Sequence, residues 1–158
     1  MRILAMSLIC LAAGAQAQSV LPNTPQAVIG VAQQFGTAYF EPPDSEGRPA
    51  IAGTIDGLNY GVLFYGCEGN VGCDSLQFYA SFTGYENSLE FINSWNYDKR
   101  FASAYRRPDG SVVLSYDVNI DFGVTATNVE DTFDIWSILM GQFMDRINGV
   151  PEGGDATK

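Results

Sequence analysis

The chain contains no histidine and is poor in cationic side chains. Its 158 residues include 8 Lys and Arg against 18 Asp and Glu, which gives a net charge of −10. Without imidazole, the Ser-His-Asp triad and the common histidine-bearing catalytic metal sites are excluded. The acidic balance repels phosphate backbones, and no basic stripe runs along the chain, so we expect no nucleic-acid partner.

The sequence motifs of several enzyme classes are also missing. There is no G-x-S-x-G elbow, no P-loop and no G-x-G-x-x-G turn. Two carboxylates about 5 to 9 Å apart in a cleft can hydrolyse glycosidic bonds. Because 18 acids make some such pair easy to find, the sequence assigns no particular one. We predict no catalytic residues, and a carboxylate-dependent hydrolase of the cell envelope remains the alternative.

The spacing Asp117-x-Asn119-x-Asp121 matches the first ligand positions of a calcium loop, but later positions do not match. The sixth loop position is Phe122, where glycine is required, and the twelfth is Asn128, where glutamate is required. Alternation along a strand places the three polar residues on a solvent face instead. We therefore predict no metal and no cofactor, while an ion-binding or structural envelope protein stays open as a further alternative.

The first residues, MRILAMSLICLAAGAQAQS, have the form of a secretory signal. Arg2 is followed by an apolar run and by Ala15-Gln16-Ala17, an A-x-A cleavage triplet. The run is about a dozen residues, short of the roughly 20 that span a bilayer, and no later segment is long enough. We predict a signal peptide at residues 1–17, cleaved after Ala17, and a periplasmic or secreted mature chain without a transmembrane segment. An uncleaved anchor is the alternative.

Of the three cysteines, Cys10 leaves with this leader, and Cys67 and Cys73 remain. Both lie in GCEGNVGCDS, a glycine-rich turn between two segments that are rich in aromatic and β-branched residues. Two thiolates without histidine do not complete a four-ligand zinc site, and the spacing is not that of a C-x-x-C redox pair. We predict a disulfide that fixes the register of a hairpin. A redox-active pair and a metal site are the alternatives.

Helix and strand signals alternate along the rest of the chain. Thr24 is the expected N-cap of a first helix that ends at Gly36. A second helix is expected from Asn87, as N-cap with Glu90, to Asn96 as a left-handed terminator. Strands are expected at 37–40, 49–55, 59–65, 75–82, 101–107 and 111–121, with hairpin turns at 56–57 and 108–110.

The last helix has the clearest periodicity in the chain. Thr127 and Glu130 form a predicted capping box, and Gly149 is the predicted end. Apolar residues follow at steps of three and four: Phe133, Trp136, Met140, Phe143 and Ile147. Residues 149–158 are expected to form a flexible tail after a single domain at residues 18–148.

Two features near the second helix are candidates for binding. Trp95 lies on the apolar stripe of its helix, where core packing is the alternative to a ligand pocket. Four of the eight cations follow within nine residues: Lys99, Arg100, Arg106 and Arg107. They suit an anionic ligand or, alternatively, a solvated strand pair. Arg100 is expected to pair with a carboxylate such as Asp98 or Asp117, or to meet a partner.

Several stretches together resemble the YbjN family, bacterial proteins labelled as sensory transduction regulators. They are DSEGRPAI, GCEGNVGCDSLQF and INSWNYDKRFASAYRRPDGSVVLSYDVNIDFGV. The resemblance covers roughly residues 24–147 and is most specific around Trp95, Asn96, Arg100, Phe101 and Tyr105. Family membership implies an α+β fold with an antiparallel sheet, a meander plus a hairpin, and three helices, similar to type III secretion chaperones. It implies no catalytic residues.

We therefore expect a single α+β domain that acts by binding another protein, without catalysis. The candidate binding residues are Trp95, Asn96, Arg100 and Arg106. By analogy with chaperone-like folds, a homodimer is possible. The partner is not identified by the sequence.

Overall fold

The computed structural model describes residues 19–69, 71–84 and 88–150. The predicted signal peptide, Asn87 and residues 151–158 lie outside the described residues. The elements within them are, in chain order, β1 Val20–Leu21, α1 Pro25–Phe35, β2 Thr37–Glu41, β3 Ala50–Ile55, β4 Leu58–Tyr65, β5 Ser75–Phe82, α2 Leu89–Asp98, β6 Ser103–Arg106, β7 Val112–Asn119, β8 Val124–Thr125 and α3 Ala126–Ile147.

Six strands form one antiparallel sheet in the order β2-β3-β4-β5-β7-β6. The first four make a meander; the chain then leaves through α2, returns as the edge strand β6, and places β7 between β6 and β5. The short strands β1 and β8 pair separately, a contact that the sequence did not predict. The predicted α+β fold with an antiparallel sheet and three helices is confirmed.

The first helix begins and ends at the residues that the sequence predicts. The Thr24 hydroxyl accepts a hydrogen bond from the Ala27 backbone N–H at 3.2 Å, and Pro25 occupies the first helical turn. A Cβ atom at Gly36 would overlap the carbonyl oxygen of Thr54, so the chain turns from α1 into β2 where no side chain fits. The close approach explains why glycine stands at this helix end.

Both of the other helices begin elsewhere than predicted. The second is capped by Ser88, one residue after the predicted cap, and the Ser88 hydroxyl accepts from Phe91 N–H at 3.1 Å. The third is capped by Thr125, which accepts from Asn128 N–H at 3.1 Å, so Thr127 lies inside the first turn. Thr125 is already extended by pairing with β1, and an extended residue with a hydroxyl is a suitable N-cap.

Asn96 does not terminate α2, because the helix continues to Asp98 and is capped by Lys99. Instead, the Asn96 side chain makes two hydrogen bonds to the backbone of Ala104 in β6. Its Nδ2 donates to the carbonyl oxygen at 3.0 Å, and its Oδ1 accepts from the N–H at 2.7 Å. The amide therefore pairs with the outer edge of β6 as a neighbouring strand would.

The core lies between one face of the sheet and the helices. α3 crosses this face and contacts α1 at one end, where Phe35 stacks on Phe133 with centroids 5.4 Å apart. At its other end it contacts α2, where Trp95 meets Phe143 edge to face at 4.7 Å. The ring of Phe78 in β5 packs against Phe133 at 4.9 Å between these contacts. The periodicity of α3 thus predicts its buried side correctly.

The predicted alternation of buried and exposed side chains along β7 is only partly found. Val112 and Leu114 are buried on the core face as expected, but Val113 and Ser115 on the opposite face are buried too. β7 has neighbours on both sides, and the Arg107 side chain, from the end of β6, reaches across it to the Ser81 hydroxyl at 3.2 Å. A side chain over a central strand buries residues that a single-strand pattern places in water.

The thiols of Cys67 and Cys73 lie at disulfide distance, with Cα atoms 3.9 Å apart, and close the loop between β4 and β5. Cys73 is completely buried. Asn23, just before α1, holds the same residue: its carbonyl accepts from Cys73 N–H at 2.9 Å, and its Nδ2 donates to the Cys73 carbonyl at 3.0 Å. The crosslinked loop is thereby anchored to the start of α1.

Candidate binding surface

The face of the sheet opposite the helices is the candidate functional surface, called here the open face. None of the residues that point to it belongs to the hydrophobic core cluster of the described chain. Several aromatic and polar side chains stand on it in exposed positions: Tyr39, Glu41, Asn59, Ser81, Tyr105 and Asp117. An uncovered sheet face with exposed aromatic rings is a feature of surfaces that bind other molecules.

One row of residues crosses the open face at right angles to the strands. In register from β5 to β2 it consists of Tyr79, Gly61, Ala52 and Tyr39. A Cβ atom on Gly61 would overlap the ring of Tyr79, so this ring lies flat over the glycine. With strands about 4.8 Å apart, the two tyrosine backbones are about 14 Å apart. Tyr79 and Tyr39 therefore stand on either side of Ala52, with the Tyr79 ring over Gly61.

The space between them is a groove of about 320 Å³, called here the tyrosine groove. Thr54, Asn59 and Ser81 line one side, and Glu41 supplies the only carboxylate in its lining. Burial raises the pKa of Tyr79, and the nearby Glu41 carboxylate raises it further. The groove therefore combines two phenol rings, neutral polar groups and one negative charge.

A hydrogen-bonded chain occupies the other end of the open face. Tyr65 donates to Gln77 Oε1 at 3.3 Å, and Gln77 Nε2 donates to Asp117 Oδ1 at 2.9 Å. The guanidinium of Arg48 lies 4.7 Å from the centre of the Tyr65 ring and pairs with Asp44 at 2.6 Å. Because these side chains bond to one another, this end of the open face is less available to a ligand than the tyrosine groove.

A second groove of about 270 Å³ lies at the end of β2, on the side of α1; it is called here the helix-side groove. Most of its lining is apolar or proline: Pro25, Phe40, Pro43, Pro49 and Ala50, with Gln26 and Glu41. Phe40 is 46% exposed although its neighbours are apolar. Phe40, on the core side of β2, lines this groove, and Tyr39, on the open face, lines the tyrosine groove, while Glu41 lines both.

Two of the predicted binding residues hold the edge of the sheet. Trp95 is completely buried, and its Nε1 donates to the carbonyl of Ala102 at 3.2 Å. This placement agrees with core packing, the alternative that the sequence offered for Trp95. Asn96 is occupied by its bonds to Ala104. Neither side chain points toward the open face.

The cationic cluster predicted around residues 99–107 does not form one surface. Arg100 stacks on the exposed ring of Phe101 at 5.1 Å, in the connection between α2 and β6. Arg107 lies on the open face, whereas the register of β6 places Arg106 on the opposite face. No ion pair joins Arg100 to Asp98 or Asp117 among the described residues: Asp98 pairs with Arg146 at 2.8 Å, and Asp117 accepts from Gln77. The alternative, that Arg100 meets a partner, stays a prediction.

The carboxylates do not form a catalytic pair in either groove. Each groove is lined by one carboxylate, that of Glu41. Hydrogen bonds from the Arg48 backbone and side chain lower the pKa of Asp44, and those from Ser111 lower the pKa of Asp109. A glycosidase general acid requires a raised pKa. Neither groove favours the hydrolase alternative.

The residues that resemble the start of a calcium loop form hydrogen bonds with one another instead. Asn119 Oδ1 accepts from Asp121 N–H at 2.7 Å, and Asp121 Oδ1 accepts from Phe122 N–H at 2.9 Å. Within residues 19–69, 71–84 and 88–150, no three Cys, Asp or Glu side chains cluster as a metal site would require. The segment is better described as a polar turn after β7.

Sequence reasoning missed the residues of the open face, although part of the signal was present. The predicted two-residue turn at Asp56-Gly57 fixes the register of β3 on β4 and so places Ala52 opposite Gly61. Pairing of Tyr79 and Tyr39 with this row depends on longer connections, which local patterns do not fix. The groove therefore required the structure.

The fold and its surface define a class of protein: a small α+β domain that covers one sheet face with helices and exposes the other. No helix in the described part of the chain is long and apolar enough to cross a membrane. The family model of YbjN, described as "Putative bacterial sensory transduction regulator", matches residues 24–148. The chain belongs to the YbjN family, which is not a known enzyme family. No curated protein and no solved structure matches it.

Proposed function

We propose that the protein is an exported, non-catalytic binding module that recognises another protein through the open face of its sheet. The observation that carries this proposal is the tyrosine groove, which exposes Tyr39 and partly exposes Tyr79 on a sheet face that no described helix covers. Aromatic side chains of this kind dominate the energetics of protein interfaces. A regulatory family is consistent with a binding role.

Export is the second part of the proposal. It is supported by the apolar leader with its A-x-A triplet and by the cysteine pair at disulfide distance. Disulfides persist in oxidising compartments and are rare in the cytosol. Recovery from the periplasm or medium of a chain that begins at Gln18 would support export. Recovery from the cytoplasm with an intact leader would contradict it.

Binding is tested by affinity capture of the tagged mature protein from its own envelope fraction under mild crosslinking. Tyr39→Ser removes an aromatic ring from the groove, and Ile138→Ser removes an apolar side chain from α3; the two residues are matched, at 57% and 58% exposed. We expect one partner to be enriched by the parent and by Ile138→Ser, and less by Tyr39→Ser. If nothing is enriched, or if only Ile138→Ser loses the partner, the proposal fails.

A further inference from the structure

The outer edge of β2 offers backbone groups that no described strand pairs. The two-residue turn after Ile55 makes Ile55 and Leu58 a hydrogen-bonded pair, so alternate residues of β3 point to β2 instead. These are Ala50, Ala52 and Thr54, whose partners in β2 are Glu41, Tyr39 and Thr37. The N–H and C=O groups of Ala38 and Phe40 therefore point away from the sheet.

The two edges of the sheet differ in how they are closed. At the β6 edge, Trp95 Nε1 donates a hydrogen bond to the carbonyl of Ala102, just before the strand. The side-chain amide of Asn96 bonds to both the N–H and the carbonyl of Ala104. On β2, the Nε2 of Gln33 donates to the Ala38 carbonyl at 3.2 Å. The N–H of Ala38 and both groups of Phe40 have no bond among the described residues. Among the described residues, one of the four outward groups of the β2 edge is thus bonded, and both groups of Phe40 are open.

The open part of this edge lies between the two grooves. Side chains of a strand alternate between faces, and so do those of any strand that pairs beside it. A strand added next to Phe40 would direct one set of side chains to the helix-side groove and the other set past Tyr39 and Glu41. Pairing of a peptide with an edge strand is a known recognition mode, in which side-chain pockets supply the specificity.

The chemistry of the two sides is different. The helix-side groove is lined mainly by prolines and Phe40, which suits an apolar side chain. On the open side, the carboxylate of Glu41 and the ring of Tyr39 suit a cation, because aromatic faces and carboxylates both attract positive charge. The net charge of −10 favours a basic partner at longer range as well.

We propose that the β2 edge binds an extended segment of the partner protein in which apolar and basic residues alternate. This inference rests on the proposed function and adds the mode and chemistry of recognition. A second copy of the chain is less suitable, since it carries its own Glu41 to the contact and the same net charge of −10. Pro42 and Pro43 follow β2 directly and limit the added strand to a short one.

The test is an NMR titration of ¹⁵N-labelled mature protein with a synthetic peptide that alternates lysine and valine, up to about 1 mM because a short edge binds weakly. We expect saturable shifts and slower hydrogen exchange at the amides of Ala38 and Phe40. A peptide that alternates glutamate and valine should bind at least about tenfold more weakly. Equal binding of the two peptides, or shifts that leave both amides unchanged, would overturn the proposal.

Variants separate the backbone contact from general effects. Phe40→Pro and Phe40→Ala both remove the ring that lines the helix-side groove. Only the proline variant also removes the outward N–H, so it should bind the lysine peptide several-fold more weakly than the alanine variant. Gln33→Ala frees the Ala38 carbonyl on an exposed helix position and should strengthen binding by about two- to tenfold. Weaker or unchanged binding by Gln33→Ala contradicts the edge mode even if Phe40→Pro does not fold.

Two further outcomes are distinguishable. If the same amides shift with protein concentration in the absence of peptide, the occupant is a second copy and the proposed chemistry is wrong. If the envelope partner is captured equally by Phe40→Pro and Phe40→Ala, the edge mode fails while the proposed function stands.

Discussion

Asn96 closes the β6 edge, and its replacement by alanine is the most direct test of that role. The variant loses two hydrogen bonds, at 3.0 and 2.7 Å, to the backbone of Ala104. Each is worth about 0.5 to 1.5 kcal/mol, so the loss is about 1 to 3 kcal/mol. Alanine is a better helix former than asparagine by about 0.5 kcal/mol. The expected net loss of unfolding free energy is about 0.5 to 2.5 kcal/mol.

Asn93 supplies a matched control on the same helix. It is exposed, and its side chain makes no hydrogen bond to another described residue. Asn93→Ala should therefore gain the helix propensity of about 0.5 kcal/mol and lose nothing. Urea unfolding of the parent and the two variants measures the difference, which should be at least about 1 kcal/mol between Asn96→Ala and Asn93→Ala.

Hydrogen exchange gives a second readout for the same variant. The Ala104 N–H is bonded to Asn96 and not to a strand, so its protection should fall in Asn96→Ala while the inner amides of β7 stay protected. If Asn96→Ala and Asn93→Ala have the same stability and Ala104 keeps its protection, the account of a side chain that closes the sheet edge is refuted.

Three further predictions concern stability. Reduction of the Cys67–Cys73 pair should lower the unfolding free energy by about 2 kcal/mol, because the closed loop is short; an unchanged urea midpoint with reductant at constant pH would contradict this. Arg146→Met should lower the free energy of unfolding by about 1 to 2 kcal/mol, because the bonds to Asp98 and Ser94 are lost. Asp98→Asn should lower it by less, because Asp98 is 45% exposed; equal losses in the two variants would show that the ion pair dominates. Burial raises the pKa of Tyr60 to about 12, so its stabilising contribution is complete below pH 10 and is lost as the pH rises toward 12. Tyr60→Phe should flatten this decline in alkaline urea titrations, and an equally steep decline in the variant would contradict the assignment.

Signals that act over a few residues were read correctly from the sequence. The Thr24 cap, the Asp56-Gly57 turn and the apolar stripe of α3 each depend on neighbours along the chain, and each is found in the structure. The caps at Ser88 and Thr125 were each misplaced by one or two residues. Such shifts are expected where adjacent residues can all accept the same backbone hydrogen bond.

Features that depend on contacts across the fold were not predictable from a single sequence. Asn96 at the end of an apolar helix reads as a terminator, and only the approach of β6 shows that its amide closes a sheet edge. The sequence pattern predicts that Val113 faces solvent, but it is buried because Arg107 reaches across its strand. The tyrosine groove depends in the same way on the register of four strands. Its residues carry the proposed function, and no local pattern marks them.

Site-specific photocrosslinking detects whether the open face contacts another protein in the cell. A photoreactive phenylalanine analogue is placed at Tyr39 in one strain and at Ile138 in another, two positions of nearly equal exposure on opposite sides of the fold. If the open face binds a partner, irradiation of the Tyr39 strain gives a discrete, heavier adduct with a second protein, and the Ile138 strain gives none. An adduct from Ile138 alone, or no adduct from Tyr39, would contradict the proposed binding.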